Sequence, residues 1–207
     1  TVTGYTVTAY DSTGTSTNDT CTVTTSGTGG SCTVSGLSNG VAYTFKVTTN
    51  STSNGSSTNS SPSLASSAVT PAAAPSAPII NTPQAGDNKI TLSWTPGNSN
   101  GATVTGYTVT AYDIDGNAIT NAPTCTATVG TNNCDLTGLS VGVNYTFKVL
   151  ANASPANSSP SSLSTPENMN SVPSTPSAPS VTTGNGSATI SIGSAPSENG
   201  YAITSYL

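Results

Sequence analysis

The chain has 207 residues, a formal net charge of -5 at neutral pH and 5% charged residues, whereas soluble globular domains usually carry about 25%. About a third of the residues are Ser or Thr, and the absence of His and Arg excludes a Ser-His-Asp triad, an imidazole base and a guanidinium clamp. Three scattered Lys residues form no basic surface for nucleic acid, and no apolar stretch reaches the roughly 18–20 residues that span a bilayer. We therefore expect no enzymatic activity, cofactor, metal, nucleic-acid partner or membrane-spanning segment.

The chain begins with a segment that returns unchanged about 100 residues later, since residues 1–11 are identical to residues 103–113. Residues 32–47 return with substitutions as residues 134–149, at the same distance. Repetition at this period indicates tandem modules of domain size.

A third copy of the repeat begins near the end of the chain. Residues 176–179 repeat the Pro-Ser-Ala-Pro of 75–78, and residues 188–192 follow the pattern of 90–94. The predicted modules are a partial one over 1–70 that lacks its first two strands, a complete one over 71–172, and the start of a third over 173–207. The simpler interpretation is a segment of a continuous array. The alternative is a subunit whose last strands complete the open first module of its neighbour.

Within each period, apolar and polar residues alternate with a period of two, which predicts strands with one buried face. The inward positions expected from this alternation are Tyr107, Val109 and Ala111 in one strand and Tyr145, Phe147 and Val149 in another. Turns rich in Gly and Asn separate the runs, and no helical stripe is present. About seven short strands per module predict an all-β protein of tandem immunoglobulin-like β-sandwiches.

The second module has several ordered features: a Pro-rich start at Pro75–Pro78, a strand ending in Trp94, a strand beginning Thr105-Gly-Tyr107, and the run Gly138–Val149. Together they resemble the fibronectin type III domain, in particular the tandem, Thr-rich form found in secreted bacterial surface proteins. The resemblance implies seven-stranded sandwiches with core Leu residues and corner Tyr residues whose hydroxyls bond to nearby backbone. The core signature comprises Trp94, Leu37, Tyr43, Leu139 and Tyr145. In the third module Ile192 replaces Trp94, which implies a smaller core.

Four cysteines occur as one close pair per repeat. Although four cysteines can pair in three ways, a local pair in each module is the economical choice. We predict disulfides Cys21–Cys32 and Cys125–Cys134, which would staple adjacent strands in the middle of each module and contribute on the order of 2–3 kcal/mol each. Free buried thiols are the alternative, and a zinc site is disfavoured by the wide spacing and the lack of His. Disulfides would place the protein outside the cytoplasm, secreted or on the cell surface.

The segment Asp113–Asn117 resembles the beginning of a calcium loop, with oxygen ligands on alternate residues and Gly at the turn. No Glu follows at the closing position, and the equivalent Asp11–Thr15 lacks the second carboxylate. A hairpin turn is therefore the preferred interpretation. Lys46 and Lys148 suggest isopeptide cross-links, but the alternation of their strands predicts that both face outward, away from any buried acid.

Sequons of the form Asn-x-Ser/Thr are numerous, and a composition this rich in Ser and Thr produces them by chance. Glycosylation remains open at the sites expected in exposed loops, which are Asn50, Asn54, Asn59, Asn152 and Asn157.

The outward residues of the predicted strands are mostly Thr, with Tyr10 and Tyr112 at matching positions. Such a neutral surface suits lateral assembly, because close packing would bury few charges. The tyrosines could instead stack on sugars or cover the sheet edge. The linkers near 69–75 and 172–176 are short and Pro-rich, which favours semi-rigid spacing.

These observations predict a non-catalytic structural component of an extracellular fibre, sheath or surface layer, with copies of itself as partner. The alternative is a spacer or adhesive stalk of a larger secreted enzyme or adhesin, with glycans as a further partner. Fold alone does not decide between these functions.

Overall fold

The computed structural model describes residues 1–25 and 29–205, and every regular element in these ranges is a β-strand. The strands are β1 (Val2–Tyr10), β2 (Ser16–Thr24), β3 (Thr44–Ser53), β4 (Ser56–Asn59), β5 (Ile79–Ile80), β6 (Gln84–Gly86), β7 (Lys89–Thr95), β8 (Thr103–Tyr112), β9 (Thr124–Thr128), β10 (Asn133–Leu136), β11 (Asn144–Ser154), β12 (Glu167–Asn168), β13 (Ser180–Gly184) and β14 (Ser187–Ser191). Within the described ranges, no helix is long and apolar enough to cross a membrane.

Residue contacts divide the chain into two compact units. The first unit comprises 1–75 with the short segments 99–103 and 154–156, and the second comprises 76–98, 104–153 and the chain from 157 onward.

The first unit contains one antiparallel sheet with the order β2-β1-β3-β4. In the centre of this sheet, Val7 lies between Cys21 on β2 and Val47 on β3. Because successive side chains of a strand point to opposite faces, Tyr5, Val7 and Ala9 share one face while Thr6 and Thr8 share the other.

The second unit contains a complete β-sandwich. One sheet has the order β12-β11-β8-β9, and the other has β10-β7-β5 with β6 also paired to β7. The facing sides of the two sheets enclose a single core, in which Ile90, Leu92 and Trp94 of β7 pack with apolar residues of β8 and β11. The sequence therefore correctly predicted the all-β sandwich fold.

The first strand of the sandwich is interrupted. Both β5 and β6 pair with β7, and Pro83 lies between them. Proline has no N–H to donate to a ladder, so the pairing stops and resumes at Gln84. Counting β5 and β6 as one interrupted strand gives the seven strands expected from the sequence.

Two tyrosines close the corner before the central strands. The hydroxyl oxygen of Tyr43 accepts a hydrogen bond from the backbone N–H of Ser38 at 3.1 Å, and that of Tyr145 accepts one from Ser140 at 3.3 Å. Both bonds were expected from the family resemblance.

Burial of the other core-signature residues differs between the two units. Trp94, Tyr43 and Leu139 are buried, whereas Leu37 and Tyr145 are only half-buried. Leu37 is less covered than its counterpart Leu139 because the first unit has no second sheet among its described residues.

Candidate interaction surfaces

The outer face of the first sheet presents rows of Thr side chains across three strands. Thr6 on β1 lies between Thr22 on β2 and Thr48 on β3, and the neighbouring row places Thr8 between Thr20 and Lys46. Directly paired Thr residues support each other across strands. The second unit repeats this pattern, with Thr108 opposite Thr126 and Thr110 opposite Thr124.

In both repeats, an Asn side chain on the neighbouring strand forms a hydrogen bond to a Thr of these rows. The Asn50 side-chain amide donates to Thr6 Oγ1 at 2.9 Å, and the Asn152 amide donates to Thr108 Oγ1 at 2.9 Å. These two sequon asparagines are thus half-buried and engaged, whereas Asn54, Asn59 and Asn157 are exposed. Exposure favours the latter three as acceptors for a glycan.

Each Thr surface ends in a tyrosine covered by a lysine. Lys46 Nζ lies 4.6 Å from the ring centroid of Tyr10, and Lys148 Nζ lies 5.0 Å from that of Tyr112. An ammonium at this distance is attracted by the face of the ring. The lysines therefore compete with any sugar for the ring faces.

The Asp113 carboxylate is used within its own turn. Its two oxygens accept hydrogen bonds from the backbone N–H of Asn117 at 2.7 Å and from the Asn117 side chain at 3.0 Å. The side-chain bond, followed by the backbone bond, lowers the pKa of Asp113. Asp11 caps the equivalent turn through Thr13 and Thr15, and the Thr13 side chain contributes most to lowering the Asp11 pKa. Both loops are therefore closed by their own hydrogen bonds, as a hairpin turn requires.

The disulfides join Cys21 to Cys32 and Cys125 to Cys134, the two pairings expected from the repeat. Their location differs from the expectation of a staple between neighbouring strands in the middle of the module. Cys125 lies on β9 at the edge of one sheet, and Cys134 lies on β10 at the edge of the other. Consecutive strands had been expected to pair, but β10 pairs with β7 instead, so the disulfide connects the two sheets at one edge of the sandwich.

The opposite edge carries a feature that sequence analysis missed. Along β11, the backbone N–H groups of Ala151, Val149 and Phe147 donate to the hydroxyls of Ser158, Ser161 and Ser164 at 2.9–3.0 Å. Each of these serines returns a bond from its own N–H to the carbonyl oxygen of the same strand residue. We call this arrangement the serine ladder.

Ser60, Ser63 and Ser66 form the same ladder along β3 in the first unit. A spacing of three residues matches neither a strand nor a helix, but it matches the three residues per turn of polyproline II. Serine recurring at every third position beside Pro62 and Pro160 is the sequence signal that would have identified it.

Among the described residues, no second sheet covers the inner face of the first sheet. We define the open sheet face as Tyr5, Val7, Val23 and Val47, which line a groove of about 400 Å³ together with Cys32. Val47 is 39% exposed, although an apolar side chain at the centre of a sheet is normally buried. This face is therefore a candidate interaction surface.

The β13–β14 hairpin is exposed on all sides. Its apolar residues include Val181, Ile190 and, directly after β14, Ile192, which are 58%, 63% and 56% exposed. Asn199, the counterpart of Asn100, donates from its side chain to the carbonyl of Val172 at 2.9 Å. Asn100 binds the carbonyl of Ala74 in the same way at 3.0 Å, so both Pro-rich segments are fastened to an Asn-Gly turn.

A comparison with protein families matches residues 73–167 to the fibronectin type III domain. This match covers the sandwich of the second unit together with its serine ladder. The chain contains a fibronectin type III domain. At the sequence level, no curated protein matches the chain.

Several solved structures are similar to the chain at low identity. A two-domain fibronectin type III segment of chicken tenascin is 21% identical, covers 79% of this chain and 84% of its own, and has a TM-score of 0.41. A segment of several titin domains is 16% identical with a TM-score of 0.46 and covers 78% of this chain, which spans about half (53%) of that segment. A myokine structure is 21% identical with a TM-score of 0.36 and covers 45% of this chain and all (100%) of its own.

The match to the fibronectin type III domain includes Trp94 and the corner tyrosine Tyr145. Among the described residues, no group of three or more His, Cys, Asp or Glu could hold a metal ion. The chemistry of its surfaces is that of hydroxyls, amides and apolar patches.

Proposed function

We propose that this chain is a non-catalytic structural component of an extracellular fibre, sheath or surface layer built from repeated fibronectin type III-like modules. In this proposal the modules occupy 1–70, 71–172 and 173–207 and are of the Thr-rich type found in secreted bacterial surface proteins. The main support is what the repeats preserve. The Asn-Thr bonds, the Lys-covered Tyr residues and the serine ladder recur in both copies, and all of them build a scaffold and its outer face.

The surface also supports a structural role. Few charged residues are present in the chain, so lateral contact between Thr-covered sheets would require little desolvation of charge. Two disulfides support an extracellular location, because such bonds persist in oxidising compartments.

The alternative function is a spacer or adhesive stalk in a larger secreted enzyme or adhesin, with or without glycan binding. The Pro-rich segments fastened by Asn100 and Asn199 favour regular spacing, which suits either function. Glycan stacking is less favoured, since Lys46 and Lys148 cover the faces of Tyr10 and Tyr112.

Immunoelectron microscopy of intact cells that make the protein tests the proposal. Antibodies raised against residues 71–172 should decorate filaments, a sheath or a surface layer at regular intervals. Label that co-purifies with a secreted catalytic activity in one polypeptide would favour the spacer. Label confined to the cell interior would contradict both functions.

A further inference from the structure

The strand β9 forms an exposed edge of the sandwich in the second unit. It lies at the end of the sheet β12-β11-β8-β9, and its strand partner among the described residues is β8. Its five residues, Thr124–Thr128, read Thr-Cys-Thr-Ala-Thr, and the three threonines are exposed. An edge strand presents unpaired N–H and C=O groups to any strand that approaches it.

The ladder with β8 shows which backbone groups of β9 point outward. The N–H of Ala111 donates to the carbonyl oxygen of Pro123 at 3.4 Å, and the register then continues along β9 without a shift. Hydrogen-bonded pairs alternate along an antiparallel ladder, so Cys125 and Ala127 bond to β8 as Pro123 does. The N–H and C=O groups of the three threonines therefore point away from β8.

These outward groups are almost unused within the chain. Among the described residues, the one hydrogen bond to them runs from the N–H of Thr131 to the carbonyl oxygen of Thr128 at 3.1 Å. A carbonyl oxygen can accept a second bond, so all three threonines can still pair with another strand. The Cys125–Cys134 disulfide fixes β9 at the edge of its sheet, which reduces the ordering entropy that pairing must offset.

The other edges of this sandwich carry features that prevent strand pairing. The serine ladder and β12 occupy the edge beside β11, and Pro83 splits the edge formed by β5 and β6. At the β10 edge, Asp135 and Lys89 form an ion pair at 2.6 Å. By contrast, β9 contains no Pro, Gly or charged residue, so its edge has no such protection.

The sequence of β9 is self-complementary in an antiparallel pair. Threonine occupies every second position, and reversal of the strand about Thr126 places Thr124 opposite Thr128. A two-fold axis through Thr126 therefore brings threonine opposite threonine at all three outward positions. Directly opposed threonines stabilise a pair of strands, and a two-fold contact uses the same residues on both copies.

Charge and exposed apolar surface also favour a contact between two copies of β9. Residues 118–134 contain no Asp, Glu, Lys or Arg, so pairing brings no like charges together. Val129, directly after β9, is 57% exposed, and the same register places it beside Pro123 of the second copy. Covering Val129 removes apolar area from water, which favours association.

The first repeat contains the same pattern on a strand that is less suited to pairing. Residues 20–24 of β2 read Thr-Cys-Thr-Val-Thr. The pairing of β2 with β1, however, shifts register around Asn18, whose φ is 66°, and the charged Asp19 follows. Bulges and charged side chains both oppose pairing at an edge. Thr22, the equivalent of Thr126, therefore provides a matched control.

We propose that β9 of one copy pairs antiparallel with β9 of a second copy about a two-fold axis at Thr126, which joins two sandwiches through one continuous sheet. The inference rests on the proposed structural function and names a contact between copies of the chain. A five-residue pair buries little area compared with a stable dimer interface, so one contact is weak. Repeated modules would multiply it, and several weak contacts together would hold neighbouring chains.

Charge variants at the axis test this pairing. Thr126→Lys places two ammonium groups opposite each other and should weaken dimerisation about fivefold at low salt, while the exposed position leaves the monomer intact. An equimolar mixture with Thr126→Asp should form the mixed dimer about tenfold in preference to either homodimer. Sedimentation equilibrium and native mass spectrometry of the full chain, at up to millimolar concentration, measure both effects.

The matched control is Thr22→Lys, which adds the same charge in the first repeat and should dimerise as the wild-type chain does. The contact is wrong if the wild-type chain stays monomeric at millimolar concentration, or if both lysine variants weaken dimerisation equally. If Thr126→Lys dimerises as the wild type does, copies join through another surface. In all of these cases, antibody decoration of filaments on cells would still support the structural function.

A pair of double variants tests the register independently. Thr124→Lys with Thr128→Asp places opposite charges across the pair at two positions and should strengthen dimerisation about fivefold, whereas Thr124→Lys with Thr128→Lys should weaken it. Within one copy these positions lie roughly 13 Å apart along the strand, so the charges interact little in the monomer. Equal dimerisation of the two double variants would overturn the proposed register.

Discussion

The two copies of the repeat share a sheet but not its surroundings. Val47 and Val149 occupy equivalent positions and receive the same serine hydroxyl on their backbone N–H. Yet Val47 is 39% exposed and Val149 is fully buried. The hydrogen-bonded frame of the sheet therefore follows from local sequence, whereas burial depends on a second sheet, which among the described residues only the second unit provides.

This difference allows the stability contributed by the hydrogen-bonded frame of the sheet to be measured separately from the stability contributed by burial under a second sheet. Any interaction present in both copies can be removed in a buried context and in a solvated one within the same chain. The contrast between the two effects measures what the covering sheet contributes.

The largest contrast is expected for the central Phe residues. Phe147→Ala should destabilise the sandwich by about 3–5 kcal/mol, because Phe147 is fully buried and its loss leaves a cavity. Phe45→Ala, at the half-buried equivalent position, should cost less than about 2 kcal/mol. Hydrogen exchange resolved to β11 and β3 would report the two opening free energies. Equal losses would show that the first sheet is covered in solution.

Removing the disulfide should affect the stability of the two repeats differently. Cys125→Ser with Cys134→Ser frees the two sheets at one edge and should destabilise the whole sandwich by about 2–3 kcal/mol. Cys21→Ser with Cys32→Ser should instead accelerate exchange mainly in residues 29–37, which lie outside any strand. Denaturant titration combined with hydrogen exchange distinguishes global from local loss. A global loss of equal size in both variants would contradict this difference.

The serine ladder gives a smaller contrast at matched positions. Ser161→Ala leaves the N–H of Val149 without its hydroxyl acceptor in a buried site and should cost about 1–2 kcal/mol. Ser63→Ala exposes the N–H of Val47 to water, which replaces the lost bond, so its effect should be below about 0.5 kcal/mol. Amide exchange of Val149 and Val47 by NMR tests both. Ser161→Thr, which keeps the hydroxyl, is the control.

Sequence periodicity was sufficient for the features that depend on one strand at a time. The alternation in β8 and β11 correctly predicted burial of Tyr107, Val109, Ala111, Phe147 and Val149. Tyr145, expected inward by the same alternation, is only half-buried against the core. The bonds of the corner tyrosines followed from the family resemblance because both partners lie within five residues of each other.

Features that depend on which strands become neighbours were not predictable in the same way. Because β10 pairs with β7 in the opposite sheet, the Cys125–Cys134 disulfide connects the two sheets and not two strands of one sheet. No local sequence pattern indicates which sheet β10 joins. Thr146 was expected to face outward, but it is buried and donates from its hydroxyl to the carbonyl of Asp113 at 2.8 Å. A buried polar side chain requires a partner, and this partner is 33 residues away in the chain.

The smallest contrast concerns an ion pair that only the second unit can make. Asp135 on β10 accepts hydrogen bonds from Lys89 Nζ at 2.6 Å and from Thr91 at 2.7 Å. The bond from Lys89, followed by that from Thr91, lowers the pKa of Asp135. A carboxyl group with a lowered folded-state pKa stabilises the protein above its unfolded pKa of about 3.9, and this stability is lost as pH falls through the folded pKa.

Asp135→Asn should therefore reduce the free energy of unfolding at pH 7 by less than about 1 kcal/mol, since both partners are exposed to solvent. The difference from wild type should shrink as pH falls below about 4 and as salt is added. The counterpart of Asp135 in the first repeat is Thr33, which has no β7 beside it. Thr33→Asp should accordingly change stability at neither pH 7 nor low pH. A pH-dependent gain from Thr33→Asp would mean that a strand bearing a cation already covers the first sheet in solution.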